Sequence, residues 1–366
     1  MTARLRAAIV GTGAVSHAHA RAVAAHPRTD LVAVTDLTRE RADEFAARWG
    51  VPAVYDTLGE LLAAEHPDVV LICTPPGVHR AQTLAAFAAG AHVVVEKPPA
   101  PSLDELDDMI AAADAADRRL AVVFQQRTGT AAAHVRRLLH EGALGRPLIA
   151  LCETLWYRDE AYYAVEWRGK WSTEGGGTTL GHGIHQLDLL AFLLGDWASV
   201  QGRLWRLDRE TQTEDASTAT ITFESGVVAQ VTTSAVSPRE VSYIRIDTQK
   251  ATVTVEHLYG HGHENWSITP APGIVDDEAA TWALPEREER SDHAPLLRDV
   301  FDALLDGGPL PPTATDPARS FGLVAAIYAS AAADGAVVTP ADLASHPTHR
   351  AGFESPVADM RAVARS

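Results

Sequence analysis

The chain has 366 residues, more than one ordinary domain holds and comfortable for two. Hydrophobic residues at 46% and charged residues at 22% are the proportions of a globular enzyme with a sizeable core. A net charge of −17 excludes partners that want a basic surface, nucleic acid and anionic membrane among them.

Strand-like apolar runs and alanine-rich helical runs alternate up to about residue 125. The strands are expected at 7–10, 31–35, 69–73, 92–95 and 120–124, and the helices at 15–26, 39–49, 58–65, 79–89 and 102–117. Such alternation predicts a parallel, doubly wound Rossmann sheet covered on both faces. From about Ile149 the strands become β-branched and closely spaced, at 200–207, 216–223, 227–234, 241–248 and 252–257. That predicts an α+β domain with a large, mainly antiparallel sheet, flanked by helices at 182–194, 293–305 and 317–333. The division is placed at 1–125 and 126–366, with a helix crossing the join; the tail after about Ser345 has no assignment. Cys73 and Cys152 lie inside apolar runs and read as buried thiols. The first apolar stretch is too short for a signal peptide, and no window approaches a membrane span. A cytoplasmic protein is expected.

Several stretches carry chemistry. AAIVGTGAVSHAHA follows the first strand and opens the first helix. Gly11 permits a tight turn, Gly13 lets backbone approach a pyrophosphate, and Ser16 stands in for the third small residue. Thr12, Ala14 and Val15 complete the loop, whose helix start offers N–H groups and a positive dipole end to phosphate. Asp36, 23 residues after Gly13, would take the adenosine ribose hydroxyls. A carboxylate there repels a 2′-phosphate, so NAD is favoured; Arg39 keeps NADP open. Thr74, Pro75, Pro76 and His79 in CTPPGVH fall at the same sheet edge. So does VVVEKPPA, where Glu96 and Lys97 would reach the nicotinamide half and Pro98–Pro99 would stiffen the backbone. A lysine beside a cationic ring, partly shielded from water, loses its proton more readily and can take a hydroxyl proton.

Downstream, GGGTTLGHGIHQLDLL at 175–190 joins a glycine loop to a helix. The spacing puts His182, His185 and Asp188 on one face. His185 is a candidate base; Asp188 either holds a substrate hydroxyl or orients His185. Trp156, Tyr157, Tyr162, Tyr163, Trp167 and Trp171 divide between pocket lining and core, with Tyr163 a candidate for the substrate site. His257, His261 and His263 read as a polar, glycine-loosened loop near the substrate mouth. No acid or cysteine is arranged around these histidines, so no metal is expected.

Taken together, GTGAVSHAH, Asp36, TPPGVH, VVVEKPPA, FQQR at 124–127 and the glycine-rich helix resemble the glucose–fructose oxidoreductase/inositol dehydrogenase (Gfo/Idh/MocA) family, over roughly residues 5–340. The resemblance implies hydride transfer between NAD or NADP and a secondary alcohol carbon of a sugar, cyclitol or polyol. Lys97 and His185 would serve the hydroxyl proton. Arg127, His182, Asp188 and Tyr163 are candidates for substrate contact, and Trp167–Arg168 would reach the cofactor. The open sheet face implies a homo-oligomer, dimer or tetramer. One departure stands out: many relatives carry an aspartate where this chain has Gly181. Two rivals share the frame. One is a redox-neutral lyase, glycosidase or epimerase that oxidises its sugar transiently; the other is a non-catalytic NAD-binding regulator.

Overall fold

The computed structural model describes residues 4–361, which form two compact units. The first contains β1 (Leu5–Val10), β2 (Thr29–Thr35), β3 (Ala53–Tyr55), β4 (Val69–Ile72), β5 (His92–Val95) and β6 (Leu120–Val122). All pair in parallel, in the order β3-β2-β1-β4-β5-β6. β1, β4 and β5 are continuous apolar runs because helices cover both faces, and their interior residues are almost wholly buried. Since the strands are parallel, the segments leaving β1, β4 and β5 emerge side by side at one edge.

The division differs from a single cut after residue 125. The first unit also takes residues 293–317, and residues 101–103 belong to the second. Helix His293–Asp306 packs against helix Ser16–Ala25, and Leu296, Leu297, Val300 and Phe301 join Ile9, Val23 and Phe45 in one buried cluster. Burying a side chain such as Phe301 contributes roughly 2 kcal/mol, so truncating this face would detach the helix.

The second unit holds β7 (Pro147–Tyr157), β8 (Trp197–Arg206), β9 (Ala216–Phe223), β10 (Val228–Ser234), β11 (Val236–Thr248), β12 (Ala251–His257), β13 (Trp266–Pro270) and β14 (Ala358–Asp359). Their order is β13-β12-β11-β7-β10-β9-β8-β14. Pairing is antiparallel except at β7–β10 and β8–β14. Along β7, Ala150, Cys152, Thr154 and Trp156 turn inward while Ile149, Leu151 and Tyr157 stay exposed. Helix Ile184–Leu194 is buried on every side, which is why it reads apolar all round. The tail supplies a short helix, Pro347–Ala351, before β14. Among the described residues no helix is long and apolar enough to cross a membrane.

Candidate active site

In the first unit the loop after β1 is built around Gly11. Its φ of +86° suits glycine, and a Cβ there would come 2.9 Å from Thr74 Cγ2 and 3.0 Å from the Cys73 carbonyl carbon. The glycine thus lets the loop lie against the end of β4. At Gly13 a Cβ would approach only the Arg41 guanidinium, at 3.7 Å, so the missing side chain there serves access rather than internal packing. Ser16 is buried and its hydroxyl donates to Gly13 O at 2.5 Å, closing the turn into helix Ser16–Ala25. This cradle, opening a ten-residue helix, fits a dinucleotide pyrophosphate.

Asp36 lies directly after β2. The Thr12 N–H and hydroxyl donate to its Oδ2 at 2.7 and 3.0 Å, and the Thr38 N–H donates to Oδ1 at 2.9 Å. Burial pushes this carboxyl up, but those donors and Arg41 outweigh it and hold the pKa below the ordinary value. Arg39 is engaged elsewhere, with Asp43 at 3.0 Å and Asp56 at 2.8 Å. The cation nearest Asp36 is Arg41, at 3.7 Å.

His79 and Glu96 have internal roles that local spacing did not reveal. The His79 ring is buried, with Nε2 2.7 Å from Thr74 O and Nδ1 3.1 Å from Pro98 O. It ties the loop after β4 to the loop after β5. Glu96 is also buried. Its Oε1 lies 2.7 Å from His19 Nε2 and 3.1 Å from His293 Nε2, and its Oε2 accepts from Lys97 N at 3.2 Å. A carboxylate only accepts, so both imidazoles donate from Nε2. Burial would raise the Glu96 pKa; the two histidines outweigh it and hold it well below the carboxylate range. These three residues gather donor atoms within 4.8 Å, and their geometry is that of two N–H groups on one oxygen. Glu96 thus anchors the backbone that presents Lys97. Lys97 is half-buried, and its peptide bond to Pro98 is cis.

In the second unit a π-helical turn, Thr179–Gly183, precedes helix Ile184–Leu194. Such wide turns recur at functional sites. The preceding glycines meet the chain itself: a Cβ at Gly177 would collide with Glu214 O at 2.0 Å. Glu214, which the sequence gave no reason to single out, accepts from Tyr328 OH at 2.7 Å and Thr179 N at 2.9 Å.

The predicted helix face separates into two groups. Asp188 is fully buried; it accepts from Arg127 Nε at 2.8 Å and from Ser320 Oγ at 2.6 Å. Arg127 and Asp188 thus form a buried ion pair. His182 and His185 lie beside Trp156, at ring-centroid distances of 5.0 and 6.3 Å. His182 Nε2 is 3.1 Å from Tyr162 OH and 3.3 Å from Arg158 Nε. Burial pushes Tyr162 up to about 12, so the phenol keeps its proton. Tyr163 stacks edge-on against Tyr162 at 5.1 Å. Arg168 covers both Tyr162 and Trp167, donates to Tyr162 OH, and donates to Glu174 Oε1 at 3.1 Å. The Trp167–Arg168 pair is thus built into this aromatic cluster.

The downstream histidines are structural. His257 and His261 are buried; Gln186 lies against His257 at 2.9 Å, and Trp266 Nε1 donates to His261 Nδ1 at 3.1 Å. His263 sits 2.7 Å from Thr130 Oγ1. They do not form the polar loop expected from their glycine-rich neighbourhood.

The parallel sheet and its glycine loop define a Rossmann domain of the dinucleotide-binding class, in a chain that carries a second α+β unit. The chain belongs to the Gfo/Idh/MocA family. Residues 5–124 match "Oxidoreductase family, NAD-binding Rossmann fold", and residues 132–254 match "GFO/IDH/MocA C-terminal domain". D-glucoside 3-dehydrogenase of Escherichia coli (strain K12) is 30% identical over 295 residues, 75% of this chain and 84% of that protein. D-apiose dehydrogenase of Paraburkholderia graminis is 27% identical over 342 residues, 90% of this chain and 88% of that protein. The WlbA dehydrogenase from Bordetella pertussis, solved with NADH and UDP-GlcNAcA, superposes with a TM-score of 0.81 at 28% identity, covering 92% of this chain and 98% of that one. The chain is an NAD(P)-dependent oxidoreductase.

Proposed function

We propose that the protein oxidises or reduces a secondary alcohol carbon of a sugar, cyclitol or related polyol, with NAD as its preferred partner. When bound, the nicotinamide supplies the hydride acceptor or donor. The chain supplies position and proton chemistry. The observation that carries this reading is the fixing of Lys97 from both sides: Glu96 is held by His19 and His293, and the Pro98 and Pro99 carbonyls lie against His79. A lysine so placed at the edge shared with Gly11 and Thr74 takes the hydroxyl proton, and His185 holds or relays it. His182 and Tyr163 contact the substrate. The Gly11–Val15 loop and helix start hold the pyrophosphate, Asp36 the ribose, and Thr74–Pro76 the dinucleotide edge. We further propose a cytoplasmic homo-oligomer assembled through the sheet face that exposes Ile149, Leu151 and Tyr157.

Lys97→Ala tests the assignment. With NAD and a panel of methyl β-D-glucoside, D-apiose, myo-inositol and UDP-GlcNAcA, the variant is expected to lose about a hundredfold or more in kcat. NAD affinity by calorimetry should stay within a few-fold. Undiminished turnover in the variant would remove Lys97 from the chemistry.

A further inference from the structure

The cluster around His182 contains a carboxylate to which no role has yet been given. Glu174 is 6% exposed and accepts from Gly169 N at 2.6 Å and from Arg168 Nη1 at 3.1 Å. It faces the π-helical turn: a Cβ built at Gly181 would lie 3.7 Å from Glu174 Oε1. From Glu174 a chain of hydrogen bonds leads to the histidine. Arg168 donates to Tyr162 OH, and Tyr162 OH lies 3.1 Å from His182 Nε2.

Donor and acceptor chemistry gives the chain a direction. Arginine has only donors, so Arg168 uses a lone pair of the Tyr162 oxygen and leaves its O–H to point onward. Arg158 Nε also approaches His182 Nε2, at 3.3 Å, and it too can only donate. His182 Nε2 must therefore be an acceptor, and the imidazole carries its hydrogen on Nδ1. Glu174 holds the guanidinium that begins this sequence and balances its charge in a largely buried setting.

We propose that Glu174 is a positioning residue: acting through Arg168 and Tyr162, it fixes the tautomer and orientation of His182. The role of His182 at the substrate rests on the function proposed above; the effect of Glu174 on His182 does not. The π-helical turn makes the arrangement possible, because it brings position 181 beside Glu174 while His182 faces Tyr162. An acid at 181 and an acid at 174 would then be alternatives for one place.

The test is nitrogen-15 NMR of histidine-labelled full-length protein, with the His182 signal identified by its loss in His182→Asn. Wild type is expected to show the Nδ1–H tautomer. In an Arg158→Gln background, which removes that second donor to Nε2, Glu174→Gln should give mixed tautomers and a His182 pKa lower by about half a unit or more, since Arg168 loses its counter-charge. In that background Glu174→Gln/Gly181→Asp should return both towards wild type, a rescue that a merely structural role for Glu174 would not produce. Unchanged tautomer and titration in Glu174→Gln there, or no rescue by the second substitution, overturns the proposal. If Glu174→Gln does not fold, Tyr162→Phe is made in the same Arg158→Gln background, where it breaks the chain by one oxygen and must release the tautomer; a preserved tautomer there overturns it equally. No substrate enters these measurements. A response of His182 together with unaltered kcat and KM on the sugar panel would therefore count against the functional reading and not against the Glu174 chain.

Discussion

Asp36 has both carboxylate oxygens engaged, one by Thr12 of the glycine loop and the other by Thr38, two residues further on. In the function proposed above, this carboxylate meets the ribose 2′ substituent. Asp36→Ala is expected to move the ratio of NADP to NAD use, as kcat/KM, upward by about tenfold or more, since one charge-assisted hydrogen bond contributes roughly 1.5–3 kcal/mol. An unchanged ratio would refute the ribose assignment. Asp188 belongs to a different class. Its charge is satisfied inside the unit by Arg127 and Ser320, and removing one partner of such a pair costs about 3–5 kcal/mol. Asp188→Ala should lower the urea midpoint accordingly, and an unaltered midpoint would contradict the core assignment. The two acids differ in how legible they were. Asp36 was readable because its meaning depends on the glycine loop and the strand it follows. Asp188, Glu96 and His79 were recognisable as special but not as internal. For Glu96 the partners are remote in sequence: His19 lies 77 residues away, and His293 lies 197 away.

Strand and helix periodicity carried most of the elements, and the exceptions have local causes. β3 is only three half-buried residues. β7 breaks simple alternation with consecutive exposed apolar residues, Leu148 and Ile149, so it did not read as a strand. The π-helical turn is the more instructive miss. A 3.6-residue rule puts positions 182, 185 and 188 together, whereas Asp188 instead turns to Arg127 while His182 turns to Tyr162. The end of β12 shows a buried titrating group at this scale. Burial drives His257 down from 6.5 to about 4, with Tyr259 O opposing. A folded pKa below the unfolded one gives stability that is full above about 6.5 and lost as pH falls towards 4. By about pH 5 the loss should reach roughly 2 kcal/mol. Urea titrations at neutral pH and about pH 5 should show a smaller loss in His257→Gln than in wild type. Equal losses would show that His257 is not held neutral.

At the scale of the whole molecule, charge and composition limited the partners, and strand–helix alternation gave the two-part architecture. They did not show which core the helix His293–Asp306 serves. An amphipathic helix announces a buried face but not the surface it meets, and this one returns to the first unit beside Ser16–Ala25. Family membership then turns a Rossmann domain into an oxidoreductase, and the fixed loop around Lys97 turns that into a proposal about a hydroxyl proton. The most direct measurement is net nicotinamide reduction by the purified wild-type protein, given NAD and the sugar and polyol panel, with released cofactor identified by mass after denaturation. The account predicts steady accumulation of reduced nicotinamide with at least one member of the panel. Cofactor released on denaturation, with no net reduction on any member and products of cleavage or epimerisation instead, would contradict it.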